Sequence, residues 1–180
     1  MASIYEISDY EVTSYTANDI IHCGNCLNPT SAPNGRFYYN LGNGNGARPE
    51  ASGGETYWGG YTTYNNKTVP HFFWIPSYTA SVSTEPQVDV IKFGDGYEQR
   101  TPQNISSELI KISLSFDKRD EKEVSAIAHF LHTRGAQEAF AFTPPSPYGS
   151  VKLFVCRSWD VTMNFKDNFS VKATFEEVVE

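Results

Sequence analysis

The motif that most resembles a metal-binding site is His22-Cys23-Gly24-Asn25-Cys26, in which two cysteines are spaced as in zinc and redox sites. Two thiolates and an imidazole suit zinc, but a structural site needs a second pair of ligands, for which the chain offers the distant His71 and Cys156. A redox dithiol would be expected beside a strand–helix–strand unit, which the surrounding sequence does not predict. We therefore favour buried or loop cysteines and expect no cofactor and no metal.

Residues of the catalytic types are present, but they lack the context that catalysis needs. A glycosidase uses two carboxylates across a cleft, and Asp19, Glu50 and Glu55 stand in predicted loops with no motif connecting them. His129 and His132 are three residues apart on a predicted helix, toward its polar side, without the glutamate of a metalloprotease motif. The sequence therefore predicts that the protein is not an enzyme.

Aromatic side chains are candidates for binding, because their flat faces stack on sugar rings and pack against proteins. More than half of the chain's aromatic residues lie within residues 1–78. Three interpretations of this half stay open: a protein-binding module, a carbohydrate-binding module and a structural arm without a ligand. The candidates for contact with a glycan or a partner are Tyr38, Tyr57, Trp58 and Tyr61.

The elements that position these residues fall into two parts. Residues 1–78 are expected to form a small aromatic- and glycine-rich β module, residues 79–87 a Ser/Thr-rich linker, and residues 88–180 a second domain. The apolar segment 69–76 is bounded by prolines and is expected to form an edge strand or to dock on the second domain. Strands of the first module are predicted at residues 4–7, 19–22, 36–40 and 57–64.

The second domain begins with a strand and a helix. Every second residue from 110 to 116 is apolar, which is the period of a strand with one face in the core. Asp117 or Asp120 is expected to cap a helix that ends at Gly135. The predicted apolar face of this helix comprises Val124, Ile127, Ala128 and Leu131.

A long β-hairpin ends the second domain, because two alternating apolar runs flank a turn at residues 166–168. Trp159 and Val161 belong to its apolar face, so we expect an aspartate at either position to prevent folding. The predicted fold class is mainly β (α+β). It is a β-sandwich with one flanking helix, preceded by the aromatic-rich β module.

Charge and hydropathy exclude several classes of function. The net charge is −7, which leaves no overall basic surface for nucleic acid. No apolar run approaches the ~20 residues that span a bilayer, and the N-terminal residues lack a secretory signal. Three cysteines are an odd number, which argues against a disulfide framework and favours folding in a reducing cytoplasm.

The residues Phe93-Gly94-Asp95-Gly96-Tyr97-Glu98-Gln99-Arg100 separate the two parts of the chain and predict a tight turn between strands. Gly94 and Gly96 can adopt positive φ without steric cost, and Asp95 can bond to the neighbouring backbone. A phosphate-binding loop is disfavoured, because no helix is predicted within the following ~18 residues to offer its N-terminus.

This stretch resembles the F-G-D-G-Y-x-Q-R…P signature of the minor tail protein M family of lambda-type long-tailed bacteriophages. The resemblance covers residues 70–180, and further matches follow in the same order along the chain. They are Pro102, the strand around residues 110–116, the helix ending near Gly135, Phe142-Thr143-Pro144-Pro145, Val155-Cys156-Arg157-Ser158-Trp159 and Phe175-Glu176-Glu177-Val178-Val179.

The resemblance implies a structural component of the virion that is assembled in the host cytoplasm. Its fold is expected to be similar to that of tail tube proteins, and copies are expected to form a hexameric ring at the distal end of the tail tube. The implied partners are the tail tube protein, the tip hub proteins and the tape-measure protein. The N-terminal module would then decorate the ring exterior, and a carbohydrate-binding protein that contacts host glycans is the alternative function.

Overall fold

The computed structural model describes residues 7, 11, 14–23, 36–42, 58–77, 80–84, 86, 88–102 and 109–179. Across these residues the fold is mainly β with one helix, which confirms the predicted class. The elements in chain order are β1 (Ile20–Cys23), β2 (Arg36–Asn40), β3 (Trp58–Gly59), β4 (Tyr61–Tyr64), β5 (Lys67–Pro70), β6 (Ser81–Thr84), β7 (Val88–Lys92), β8 (Glu98–Pro102), β9 (Ile110–Arg119), α1 (Glu121–Arg134), β10 (Phe140–Phe142), β11 (Lys152–Phe165) and β12 (Asn168–Glu177).

The main sheet has five strands in the order β10-β11-β12-β9-β6, and every neighbouring pair is antiparallel. The predicted hairpin is present as β11 and β12, with Val161 opposite Val171 and a turn in which Asp167 has a φ of 57°. The predicted alternation of β9 is also confirmed, because Ile110, Ile112, Leu114 and Phe116 are buried.

The helix α1 begins and ends as the sequence predicts. Asp120 is the N-cap and accepts a 2.7 Å hydrogen bond from the backbone N–H of Glu123. Gly135 ends the helix in the left-handed conformation, with a φ of 56°, and its N–H bonds back to the last turn. No helix in the described residues is long and apolar enough to cross a membrane.

The core lies between the main sheet and a cover made of three parts. The helix contributes Ile127 and Phe130, and the segment 71–77 contributes Phe72 and Trp74. The third part is Tyr39 of β2, which is fully buried in the same cluster. The proline-bounded segment therefore docks on the core, and the strands of the N-terminal half share that core with the main sheet.

Three small sheets accompany the main one: β1-β2-β3, β4-β5 and β7-β8. The predicted strand at 57–64 is two strands, since Gly60 interrupts it with a φ of 134°. Asn65 and Asn66 both have positive φ and form the two-residue turn between β4 and β5. The predicted strand at 4–7 lies outside the described residues except for residue 7.

Part of the stretch that was expected to be a linker is a strand. Residues 81–84 form β6, which pairs with β9 at the edge of the main sheet. Its serine and threonine residues resemble a linker in composition, but an edge strand is held by backbone hydrogen bonds and needs little apolar content.

The apolar face of β11 extends beyond the core. Val161 is 42% exposed, and Trp159 is only partly buried at the margin of the cluster. Our expectation that Val161 is buried is therefore wrong. The opposite residue, Val171, belongs to the buried core cluster, whereas none of the described members of that cluster lies on the outer half of β11, where Val161 is exposed.

Candidate interaction surfaces

The eight-residue signature lies in a β-hairpin, Val88–Pro102, which we call the signature hairpin. Its strands pair from Val88 opposite Pro102 to Lys92 opposite Glu98. In the turn, the Phe93 N–H donates to the Tyr97 carbonyl at 2.8 Å, and Gly96 has a φ of 81°. The prediction of a tight turn is confirmed.

Every described residue of the signature hairpin is exposed. The exposed fractions of its largest apolar side chains are 47% for Val90, 54% for Ile91, 52% for Phe93 and 78% for Tyr97. The hairpin therefore adds nothing to the core of its own subunit, and it offers apolar surface to another molecule.

The charges of the signature hairpin are partly neutralised within it. The Glu98 carboxylate lies 2.9 Å from the Arg100 guanidinium and 3.8 Å from the Lys92 ammonium group. These contacts are exposed and add little to stability, but they leave fewer unpaired charges on a surface that also carries aromatic rings.

A second exposed surface, which we call the edge strip, comprises Val161, Met163 and Phe165 on β11. Met163 is 78% exposed and Phe165 is 79% exposed. The neighbouring strand β10 pairs only with residues 152–154, so among the described residues the outer half of β11 has no strand on that side. An unpaired strand edge with apolar side chains is a template for association.

A third surface is an apolar cavity of about 760 Å³, which we call the aromatic groove. It lies between the segment 71–77 and the loop that follows β10. Ile75 is 79% exposed and belongs to its lining. The described lining residues are His71, Phe72, Phe73, Trp74, Ile75, Pro76, Ser77, Ala80, Phe142, Thr143, Pro145 and Ser146.

The aromatic groove is electrically neutral over its described lining, which includes no aspartate, glutamate, lysine or arginine. Burial lowers the pKa of His71, so its imidazole is neutral at pH 7. The Trp74 side chain is 5% exposed, and its indole Nε1 has no hydrogen-bond partner among the described residues. Of the two signature prolines nearby, Pro144 is buried and Pro145 is exposed.

The aromatic residues proposed to contact glycans lie mostly inside the protein. Tyr38 and Trp58 are 5% and 4% exposed and pack with Ile21 in a small second core. Tyr61 is partly buried, with Arg36 and Arg134 over its ring at 4.8 and 5.5 Å. Tyr57 lies outside the described residues.

The helix joins the N-terminal half through a buried pair that the sequence did not predict. The Tyr39 hydroxyl and His129 Nδ1 are joined by a 2.8 Å hydrogen bond, and the ring of Phe37 packs on the same imidazole. His129 is 4% exposed, so its expected place on the polar side of the helix is wrong. Burial, together with the nearby positive charge of Arg134, lowers the pKa of His129 to about 4.

The cysteines differ from expectation in one respect. Cys23 is buried and disulfide-bonded, so the odd cysteine count was misleading: it excludes complete pairing but not a single bond. Cys156 is a buried free thiol, and burial raises its pKa to about 11. Cys26 lies outside the described residues, and within those that are described no three His, Cys, Asp or Glu side chains could hold a metal.

Two comparisons with known proteins concern the second half of the chain. A model of the phage minor tail protein family matches residues 70–179. Tail tip protein M of Escherichia phage lambda is 31% identical over 109 residues, an alignment that covers 60% of this chain and 96% of that protein. The signature hairpin, the edge strip and the aromatic groove all lie within the residues that the family model matches.

Proposed function

We propose a structural role in the virion, from the premise that the chain belongs to the phage minor tail protein family. Members of this family are structural components of phage tails. For this chain we propose the finer role of a ring at the distal end of the tail tube, which joins the tube to the tip complex.

The observation that carries the proposal is the position of two exposed apolar surfaces on opposite sides of the main sheet. The signature hairpin connects β6 to β9, on one side of the sheet, whereas the bare edge of β11 lies on the other side. Two different patches on opposite sides support head-to-tail association, which closes into a ring when the rotation between copies is right. A sixfold ring would match the symmetry expected of the tube.

The proposed neighbours are other tail components: the tail tube protein on one side, the tip hub proteins on the other and the tape-measure protein in the lumen. The net charge of −7 supports a lumen that does not hold the genome, because an acidic wall repels phosphates and lets DNA slide. We propose no sequence-specific contact with nucleic acid.

The N-terminal half precedes the family match, and we propose that it decorates the ring exterior. The Tyr39–His129 hydrogen bond supports a fixed position for it on the helix. The alternative of a carbohydrate-binding protein has less support, since Tyr38 and Trp58 are buried and their faces are already in contact with protein. Specific binding of the intact protein to sugars on a glycan array would support that alternative.

The deciding experiment is cryo-electron microscopy of the tail that contains this chain. We expect a ring of density between tube and tip into which residues 109–179 fit, with the N-terminal half on the outside. Density for this chain elsewhere in the particle, or its absence from purified tails, would contradict the ring.

A further inference from the structure

We propose that the polar face of the main sheet, on the side away from the core, is a wall along which duplex DNA slides through the ring. This inference rests on the proposed ring and identifies the residues of this chain that meet the passing genome. We call the surface the hydroxyl face. Its members are Ser81, Ser113, Ser115, Ser158, Asp160, Lys172 and Thr174.

Four hydroxyl side chains of this face stand in register across four adjacent strands. Ser81 of β6 lies opposite Ser113 of β9, and Ser113 lies opposite Thr174 of β12. Thr174 in turn lies opposite Ser158 of β11. The three serines are exposed and Thr174 is half-buried. They form one continuous row of hydroxyl groups, which borders a shallow depression of about 440 Å³.

The hydroxyl face and the N-terminal half lie on opposite sides of the main sheet. Successive side chains of a strand point to opposite faces, and Ser113 lies between Ile112 and Leu114, which both belong to the buried core cluster. Tyr39 of the N-terminal half belongs to that same cluster. If the N-terminal half is on the exterior of the ring, the hydroxyl face is therefore turned toward the ring axis.

The chemistry of the hydroxyl face suits a wall that does not hold DNA. Proteins that grip nucleic acid combine several lysines or arginines with aromatic rings on which bases stack. Among the described residues that line the depression, Lys172 is the only cation and lies directly opposite Asp160, the only anion, and none is aromatic. Serine and threonine hydroxyls bind water as donors and acceptors, so a layer of water can separate the wall from the phosphates.

The first measurement is thiol accessibility in tails assembled with full-length Ser113→Cys. The probe is a maleimide that carries a polyethylene glycol chain too bulky to enter the lumen. Position 113 should react in the isolated protein and be protected in tails. Leu41→Cys is the matched control, because Leu41 is 39% exposed and lies in the N-terminal half, and it should react in both. Wild-type tails give the background, in which the buried Cys156 should not react.

The second measurement is the rate of DNA ejection from particles that carry Ser113→Lys together with Ser158→Lys. The added ammonium groups would contact phosphates, so ejection should slow about tenfold or more at low salt and recover as salt screens the contacts. Ser113→Glu together with Ser158→Glu is the matched control. Its side chains are also long and charged but repel phosphates, so ejection should keep the wild-type rate.

The outcomes separate this inference from the proposed function. Labelling of position 113 as complete as that of position 41, in tails that still contain the ring, would overturn the inference and leave the ring standing. An unchanged ejection rate in the lysine variant, or equal slowing in the lysine and glutamate variants, would also overturn it, because phosphates would then not contact this face. Tails in which this chain forms no ring would overturn the proposed function and the inference with it.

Discussion

At the scale of single residues, the pair of Tyr39 and His129 makes stability depend on pH. Burial raises the pKa of Tyr39, so its hydroxyl keeps its proton while it is hydrogen-bonded to the imidazole of His129. The pKa of His129 is about 4 in the fold, against 6.5 for an ordinary histidine. Between these values the unfolded chain binds a proton that the fold does not, so the contribution of His129 to stability falls as the pH falls from 6.5 to 4 and levels off below.

We therefore expect His129 to remove up to about 3 kcal/mol of stability between pH 6.5 and 4, at roughly 1.4 kcal/mol per pKa unit. The measurement is the urea midpoint of the wild type and of His129→Gln across this range. The variant should lose most of the slope, whereas His132→Gln should keep it because His132 is exposed. Equal slopes in the wild type and His129→Gln would show that the imidazole is not held neutral.

Val161 and Val171 form a matched pair for testing the edge strip. They lie directly opposite each other on β11 and β12, but Val161 is 42% exposed and Val171 is fully buried. Val171→Asp should cost several kcal/mol, because it buries an unpaired carboxylate, while Val161→Asp should cost less than about 1 kcal/mol in the isolated protein. Similar losses of thermal stability for the two variants would place Val161 in the core after all.

At the scale of elements, the start of α1 depends on its cap. Asp120→Ala removes the acceptor of the Glu123 N–H bond and should destabilise the protein by about 1 kcal/mol in a denaturant titration. Asp120→Asn keeps a side-chain acceptor and should be close to the wild type. A loss for asparagine as large as that for alanine would mean that the charge, not the cap, stabilises this helix end.

The elements that were predicted correctly from the sequence are those whose secondary structure is determined by one local sequence pattern. β9 and the β11–β12 hairpin follow the period of two, and α1 has both a capping aspartate and a terminal glycine. β6 was missed because an edge strand is held by backbone pairing, which leaves no apolar pattern to detect. The exposure of Val161 was missed because alternation identifies a face but not what covers it.

The candidate surfaces were predictable to a smaller degree. The glycines predict the turn of the signature hairpin. The complete exposure of the hairpin depends on how its 15 residues extend from the main sheet. The aromatic groove joins residues 71–77 to 142–146, and Tyr39 meets His129 across 90 positions in the chain. Contacts between residues so far apart in the sequence arise from the tertiary fold and leave no local signal in the sequence. Aromatic content likewise did not separate Tyr38 and Trp58, which are core, from binding residues.

At the scale of the whole molecule, the region that matches the family shares its core with residues that precede the match. Tyr39 is fully buried and packs against Trp74 at a centroid distance of 5.0 Å and against Phe130 at 6.0 Å. Removal of the N-terminal half would expose these two rings at the centre of the cover. The N-terminal half, which we propose decorates the ring exterior, therefore also forms part of the core that it shares with the main sheet.

This argument predicts that a fragment of residues 70–180 is less stable than the full chain. Tyr39→Ala in the full chain should cost about 3–5 kcal/mol, as expected for a large aromatic side chain removed from a core, and the fragment should lose at least as much. Thermal unfolding monitored by circular dichroism measures both. Tyr61→Ala is the control, since Tyr61 is only partly buried and belongs to the smaller core, and it should cost less. A fragment that unfolds at the same temperature as the full chain would mean that the second half folds alone and that Tyr39 merely rests on its surface.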